Sequence, residues 1–149
     1  MKYRFLILLF FVITGYSATL TQKFTTFITI LPQINILEIK GLTPPPQPAG
    51  SNLDLLIPAN SSYAANFNLS GSADSSFNVS IIPSSIIIKT GNGNASNKKI
   101  TVTNFTHYGP TSFDSNGNAN GLKIGATFQI RTEDIVGLYS GSVTLRIIY

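Results

Sequence analysis

From about residue 63 onward, apolar side chains recur at every second position, with polar residues between them. Tyr63, Ala65, Phe67 and Leu69 form one such series, and Phe77, Val79 and Ile81 form another. Ile100, Val102 and Asn104 share a face of a third segment that Phe105 closes. Leu122, Ile124, Ala126, Phe128 and Ile130 give the longest series, and Val143, Leu145, Ile147 and Tyr149 the last. Successive side chains of a strand point to opposite faces, so period two predicts half-buried β-strands. Two shorter apolar runs, Leu53–Ile57 (ended by Pro58) and Ile86–Lys89, read as further strands. Gly71-Ser72-Ala73-Asp74, Gly91-Asn92-Gly93-Asn94 and the Gly/Asn/Ser-rich loop 109–121 supply turns between them. Strands of this length with frequent turn signals predict a sandwich or a barrel, with seven to nine strands expected in all.

Upstream, residues 24–39 carry Phe24, Phe27, Ile28, Ile30, Ile34, Ile36 and Ile39, broken by Pro32. They predict two short strands, with the proline at an edge or bulge where no N–H is needed. Thr43-Pro44-Pro45-Pro46-Gln47-Pro48-Ala49-Gly50 predicts a stiff, extended spacer of polyproline type. The predicted core comprises Phe67, Leu69, Phe77, Val79, Ile81, Val102, Leu122, Ile124, Phe128, Ile130, Tyr139, Val143, Leu145 and Ile147.

The first residues follow a different rule. Lys2 and Arg4 precede an apolar stretch from Phe5 to Ile13, and Gly15-Tyr16-Ser17-Ala18 offers small residues for cleavage. This is the form of a helical secretory signal over 1–17, too short for a membrane span. Its removal leaves about 130 residues, enough for one domain with a real core. Residues 18–49 then carry the N-terminal strands and the proline-rich linker, and 50–149 the sandwich core, with 18–149 expected to form a single domain. Losing Lys2 and Arg4 halves the formal charge of +4. Only Lys98-Lys99 cluster thereafter, which argues against nucleic-acid binding, since that needs many cations on one face. Cysteine is absent, so the fold must hold by burial and backbone pairing alone.

Several blocks also carry a family likeness. Ala65-Asn66-Phe67-Asn68-Leu69-Ser70-Gly71 and Asn78-Val79-Ser80-Ile81-Ile82-Pro83 come first. Ile100–Phe105, Leu122–Phe128 and Gly137-Leu138-Tyr139-Ser140-Gly141 follow in the same order. Together, over roughly residues 50–149, they resemble the bacterial secreted domain of unknown function 4402. Its ending is similar to that of the spore coat protein U and archaic pilin group. The Asn-Phe-Gly block usual in the family's early strand has Leu53-Asp54-Leu55-Leu56 in its place. The resemblance implies an exported bacterial β-sandwich and carries no catalytic residues.

The ending has physical content of its own. Asp134-Ile135-Val136-Gly137-Leu138-Tyr139 has the form of a tyrosine corner, in which a phenol reaches back to upstream backbone and fixes the entry to a strand. Asp134, Gly137 and Tyr139 are therefore the candidate structural residues. Val143, Leu145, Ile147 and Tyr149 are the candidate pairing face of the terminal strand.

Catalytic chemistry finds little to work with. His107, the single histidine, lies near a loop with no evident carboxylate partner, and Glu133-Asp134 are the only adjacent acids. Asp114-Ser115-Asn116-Gly117-Asn118-Ala119-Asn120-Gly121 spaces oxygen donors as a calcium loop does, but it has one carboxylate and no closing acid, so it reads as a polar hairpin loop. Five Asn-x-Ser/Thr triplets, at Asn60, Asn68, Asn78, Asn94 and Asn104, are what so much Asn, Ser and Thr produces by chance. No enzyme, cofactor or metal is expected.

The sequence thus predicts an all-β antiparallel sandwich, Ig-like or pilin-like, secreted across the inner membrane to periplasm, surface or medium. The leading role is structural or adhesive, with the terminal strand and the run from Phe24 to Ile30 as donors or acceptors in strand pairing with itself or other surface subunits. Pairing of both segments inside one monomer fits the same pattern. A small outer-membrane barrel and a carbohydrate- or ligand-binding module, with Tyr63, Tyr108 and Phe113 as a platform, are the alternatives. Against the barrel, tryptophan is lacking and most of the expected strands are shorter than a membrane-spanning strand.

Overall fold

The computed structural model describes Thr25, residues 27–91 and residues 94–149. The expected leader and Phe24 lie outside the described residues. The fold is all-β and antiparallel, and the described residues form eight strands: β1 Asn35–Lys40, β2 Leu53–Ile57, β3 Ala65–Ser70, β4 Asn78–Ile82, β5 Ile86–Lys89, β6 Lys99–Tyr108, β7 Asn118–Ile130 and β8 Thr144–Ile148. The described residues add one turn of 3-10 helix, Ser96–Lys98. None of their helices is long and apolar enough to cross a membrane.

β7 organises the large sheet because its alternation is the longest. β6 pairs along one of its edges; β3 and β2 lie end to end along the other, β3 on Asn118–Ile124 and β2 on Ala126–Ile130. The strand order is β1-β3-β7-β6-β5, and its two ends are not paired to each other, so this sheet is open. The second layer has only β4 and β8, with Val79 opposite Ile147 and Ile81 opposite Leu145. The two layers make a sandwich whose upper sheet covers only part of the lower.

The core accordingly falls into two clusters. Leu69, Phe77, Phe113, Ala119 and Leu122 lie beneath Val79, Leu145 and Ile147 of the upper layer. Ile57, Ile100, Val102, Ala126 and Phe128 form the other, flanked by half-buried Leu42, Ile86, Ile88, Phe105 and Tyr139.

Several expectations need correction. Among the described residues only one strand, β1, forms upstream of the proline-rich segment; residues 27–34 are not a strand, because no neighbouring edge pairs with them. Phe27, Ile28 and Ile30 are 91%, 88% and 85% exposed. Asn104 does not share the buried face of β6. It adopts φ 51°, and the pairing of β6 with β7 slips by one residue between Thr103 and Thr106, so Asn104 faces solvent and Phe105 turns inward. A β-bulge reverses parity in this way. A second bulge falls where Phe67 pairs with Leu122 and Asn68 with Asn120. The extra residue is Gly121, at φ 80°, and its N–H donates to Asn68 Oδ1 at 3.1 Å. Inward positions therefore change from even numbers after Leu122 to Ala119 before it, and β7 begins inside what read as loop. Tyr63 precedes β3 and is exposed. Val143 precedes β8, outside the stretch that pairs with β4, and is also exposed.

Candidate functional site

The half of the large sheet that β4 and β8 do not cover forms the floor of a mostly apolar cleft of about 960 Å³. Ile100, Val102, Phe128 and Ile130 lie on that floor. One wall is the segment Thr43–Ser51, whose consecutive prolines favour an extended shape. Thr43 N–H donates to Tyr63 O at 3.1 Å and ties the start of the segment to the body, and the Ser51 hydroxyl donates to Pro48 O at 2.7 Å and closes a turn at its end.

The opposite wall is residues 134–143, and here the sequence-predicted corner lies. Arg131 N–H donates to Asp134 Oδ2 at 2.8 Å, and Asp134 N–H to Arg131 O at 3.0 Å, which closes the turn after β7. The Tyr139 hydroxyl has two carbonyls in reach, Ile135 O at 2.9 Å and Asn97 O at 3.1 Å. One phenol thus bridges its own turn and the approach to β6. Burial, and then the negative charge of Asp134, push its pKa above the ordinary tyrosine value. Gly137 lies against the buried Thr90, where a Cβ would meet the threonine hydroxyl; the Cβ of an alanine at 141 would stand 2.7 Å from Ile88 Cγ2. Between them, Ser140 exchanges two backbone hydrogen bonds with Lys89, each 2.9 Å. Gly137, Tyr139 and Gly141 thus hold the wall to the sheet, and Val136 and Leu138, on either side of Gly137, are 84% and 88% exposed.

Wall and strand are continuous. From Ile82 opposite Thr144 to Lys89 opposite Ser140, seven steps on one side meet four on the other, and Pro83-Ser84-Ser85 absorb the excess. β4 and β5 are therefore one bent arm, and residues 140–148 follow it from one layer to the other.

The terminal face divides in two. Leu145 and Ile147 are half-buried against the covered core, whereas Val143 looks into the cleft. Tyr149 has a role that sequence reasoning missed. Its ring packs on Phe113 with centroids 6.0 Å apart, its hydroxyl accepts from Ser72 N–H at 2.6 Å and donates to Pro32 O at 2.9 Å. The available signal was a phenol placed at the end of an alternating strand, in need of a polar partner.

The remaining candidates are not brought together. His107 is exposed on β6 and shares a separate opening with Val79, Ile81, Ser84 and Ser85, none of them acidic. Asp114 Oδ1 accepts the N–H groups of Asn116 and Asn118, at 2.9 and 2.8 Å, and so shapes a turn. Among the described residues no group of three His, Cys, Asp or Glu side chains has metal-binding geometry. Phe113 is buried, which removes it from any surface platform with Tyr63 and Tyr108.

No curated protein and no solved structure matches the chain. A family model does, that of the Domain of unknown function (DUF4402), over residues 49–149, which take in every strand from β2 to β8 and both bulges. The chain belongs to the DUF4402 family.

Proposed function

We propose that this chain is an exported, non-catalytic structural or adhesive protein of the bacterial periplasm or surface, and that it acts through the edges of its sheets. The observation that carries this reading is the incomplete upper layer, two strands over six, with an apolar cleft beside it. An uncovered edge is a template for pairing with another chain. β1 adds a second such edge: all six of its residues are exposed, Leu37 and Ile39 among them. The Lys2/Arg4 leader pattern and the likeness of the ending to the spore coat U and archaic pilin group support export and subunit assembly. The scattered carboxylates and the solitary His107 support the absence of catalysis.

The cleft also favours a second reading, a ligand-binding module. Its size falls within that of small-molecule sites. Its lining suits an apolar ligand better than a sugar.

Fractionation and light scattering test the main reading together. The chain is expected outside the cytoplasm and to self-associate as its concentration rises. A protein retained in the cytoplasm and monomeric at millimolar concentration would refute it.

A further inference from the structure

We propose that the cleft is the receptor for residues 24–31 of a second copy of this chain, laid along the wall 141–143. This rests on the assembly reading and names its partner. The run supplies what the cleft lacks. Phe27, Ile28 and Ile30 lie almost wholly in solvent on their own subunit, and Phe24 to Leu37 contain no charged residue. The cleft is lined mostly by apolar side chains, with Glu38, Arg131 and Asp134 also in its lining; Val143 faces inward yet is 37% exposed, and the exposed Val136 and Leu138 border it. Among the described residues, the backbone of Gly141, Ser142 and Val143 makes no backbone hydrogen bond. An extended segment placed there gains main-chain pairing while its alternate side chains enter the cleft.

Direction decides between a second copy and the chain's own run. Asn35 pairs with Ser70, which pairs with Asn118 at the start of β7, whereas the cleft floor lies toward Phe128 and Ile130 at its end. Ile34 packs on the covered core, and Pro32 O is held by Tyr149. The run thus leaves the body at the pole opposite the cleft. Donor and receptor at opposite poles make a heterologous, head-to-tail contact, which propagates as an open chain unless its rotation closes a ring.

The absence of cysteine allows a direct test. Ile28→Cys and Val143→Cys are made separately, mixed and oxidised, with Ile87→Cys on the outer face of β5 replacing Val143→Cys as control. A disulfide requires Cα atoms within about 7 Å. The mixture is expected to yield the heterodimer through residues 28 and 143, and the control mixture is not. A synthetic peptide of residues 23–34 is expected to bind the purified chain and to compete with this cross-link. The same peptide with Ile28→Asp and Ile30→Asp should bind at least about tenfold more weakly. Residues 28 and 30 contribute nothing to the core, so Ile28→Asp/Ile30→Asp in the chain should leave its melting unchanged while reducing self-association. If the chain self-associates but neither cross-link nor peptide effect appears, the assembly reading stands and this receptor is wrong. If the chain stays monomeric and the peptide does not bind, both are wrong.

Discussion

Beneath β4 and β8, the large sheet is sealed. Leu122 has no exposed surface, Phe77 and Phe113 stack with centroids 4.8 Å apart, and Tyr149 ties strand end, turn and N-terminal segment at one point. Beneath the proline-rich segment and residues 134–143, the same sheet is roofed by chain with no ladder of its own. There Ile86, Ile88, Phe105 and Tyr139 are only half-buried. Strand-on-strand cover allows side chains to interdigitate from both layers at interior density. Loop cover fixes a few points and leaves space between them. The two halves have similar side chains and differ in what lies above them, so the tightly packed end and the open end of the molecule lie apart.

Truncation on each side gives the sharpest test of that difference. Leu122→Ala, in the sealed half, is expected to cost about 4 kcal/mol, because the lost transfer energy is joined by a cavity that cannot collapse. Ile88→Ala, beside the cleft, should cost about 1–2 kcal/mol, since much of its surface already faces open space. Equal losses in denaturant melts would erase the contrast. Gly137→Ala is next: its Cβ would press on Thr90, and overpacking of this kind costs about 2 kcal/mol. If it is neutral, the wall is not held as described. Tyr139→Phe should cost about 1 kcal/mol, one net hydrogen bond, measured the same way.

The smallest expected effect is on pH. The Tyr139 pKa is raised in the fold, so the folded state holds this proton more tightly than the unfolded chain does. Its contribution is fully present below the unfolded value of about 10 and is lost as pH rises through the folded one. Melts taken above that pH should show the native chain weakening more than the Tyr139→Phe variant. Parallel curves would mean the phenol carries no such linkage.

Much of this was legible because alternation is a local signal. Leu122 to Ile130, Phe67 to Leu69 and Phe77 to Ile81 lie where period two puts them, and the corner geometry at Tyr139 involves a contact only four residues away. What sequence reading missed depended on distant partners. The bulges at Asn104 and Gly121 invert parity, and only the register with β7 or β3 reveals them, although Asn and Gly are the residues that tolerate positive φ. Residues 27–31 alternate partly like a strand, but a strand exists only where an edge is offered. The cleft itself is a property of two layers of unequal width, which no single segment encodes.

The length and position of β7 bear on the order in which the molecule can form. β2 and β3 both depend on a partner more than forty residues downstream, and β4 waits for β8, more than sixty residues downstream. Until residues 118–130 emerge, the early segments have only the β1–β3 pair and the β5–β6 hairpin to form. Such high contact order makes for slow closure. A nascent polypeptide of this design stays threadable until β7 and β8 have been made.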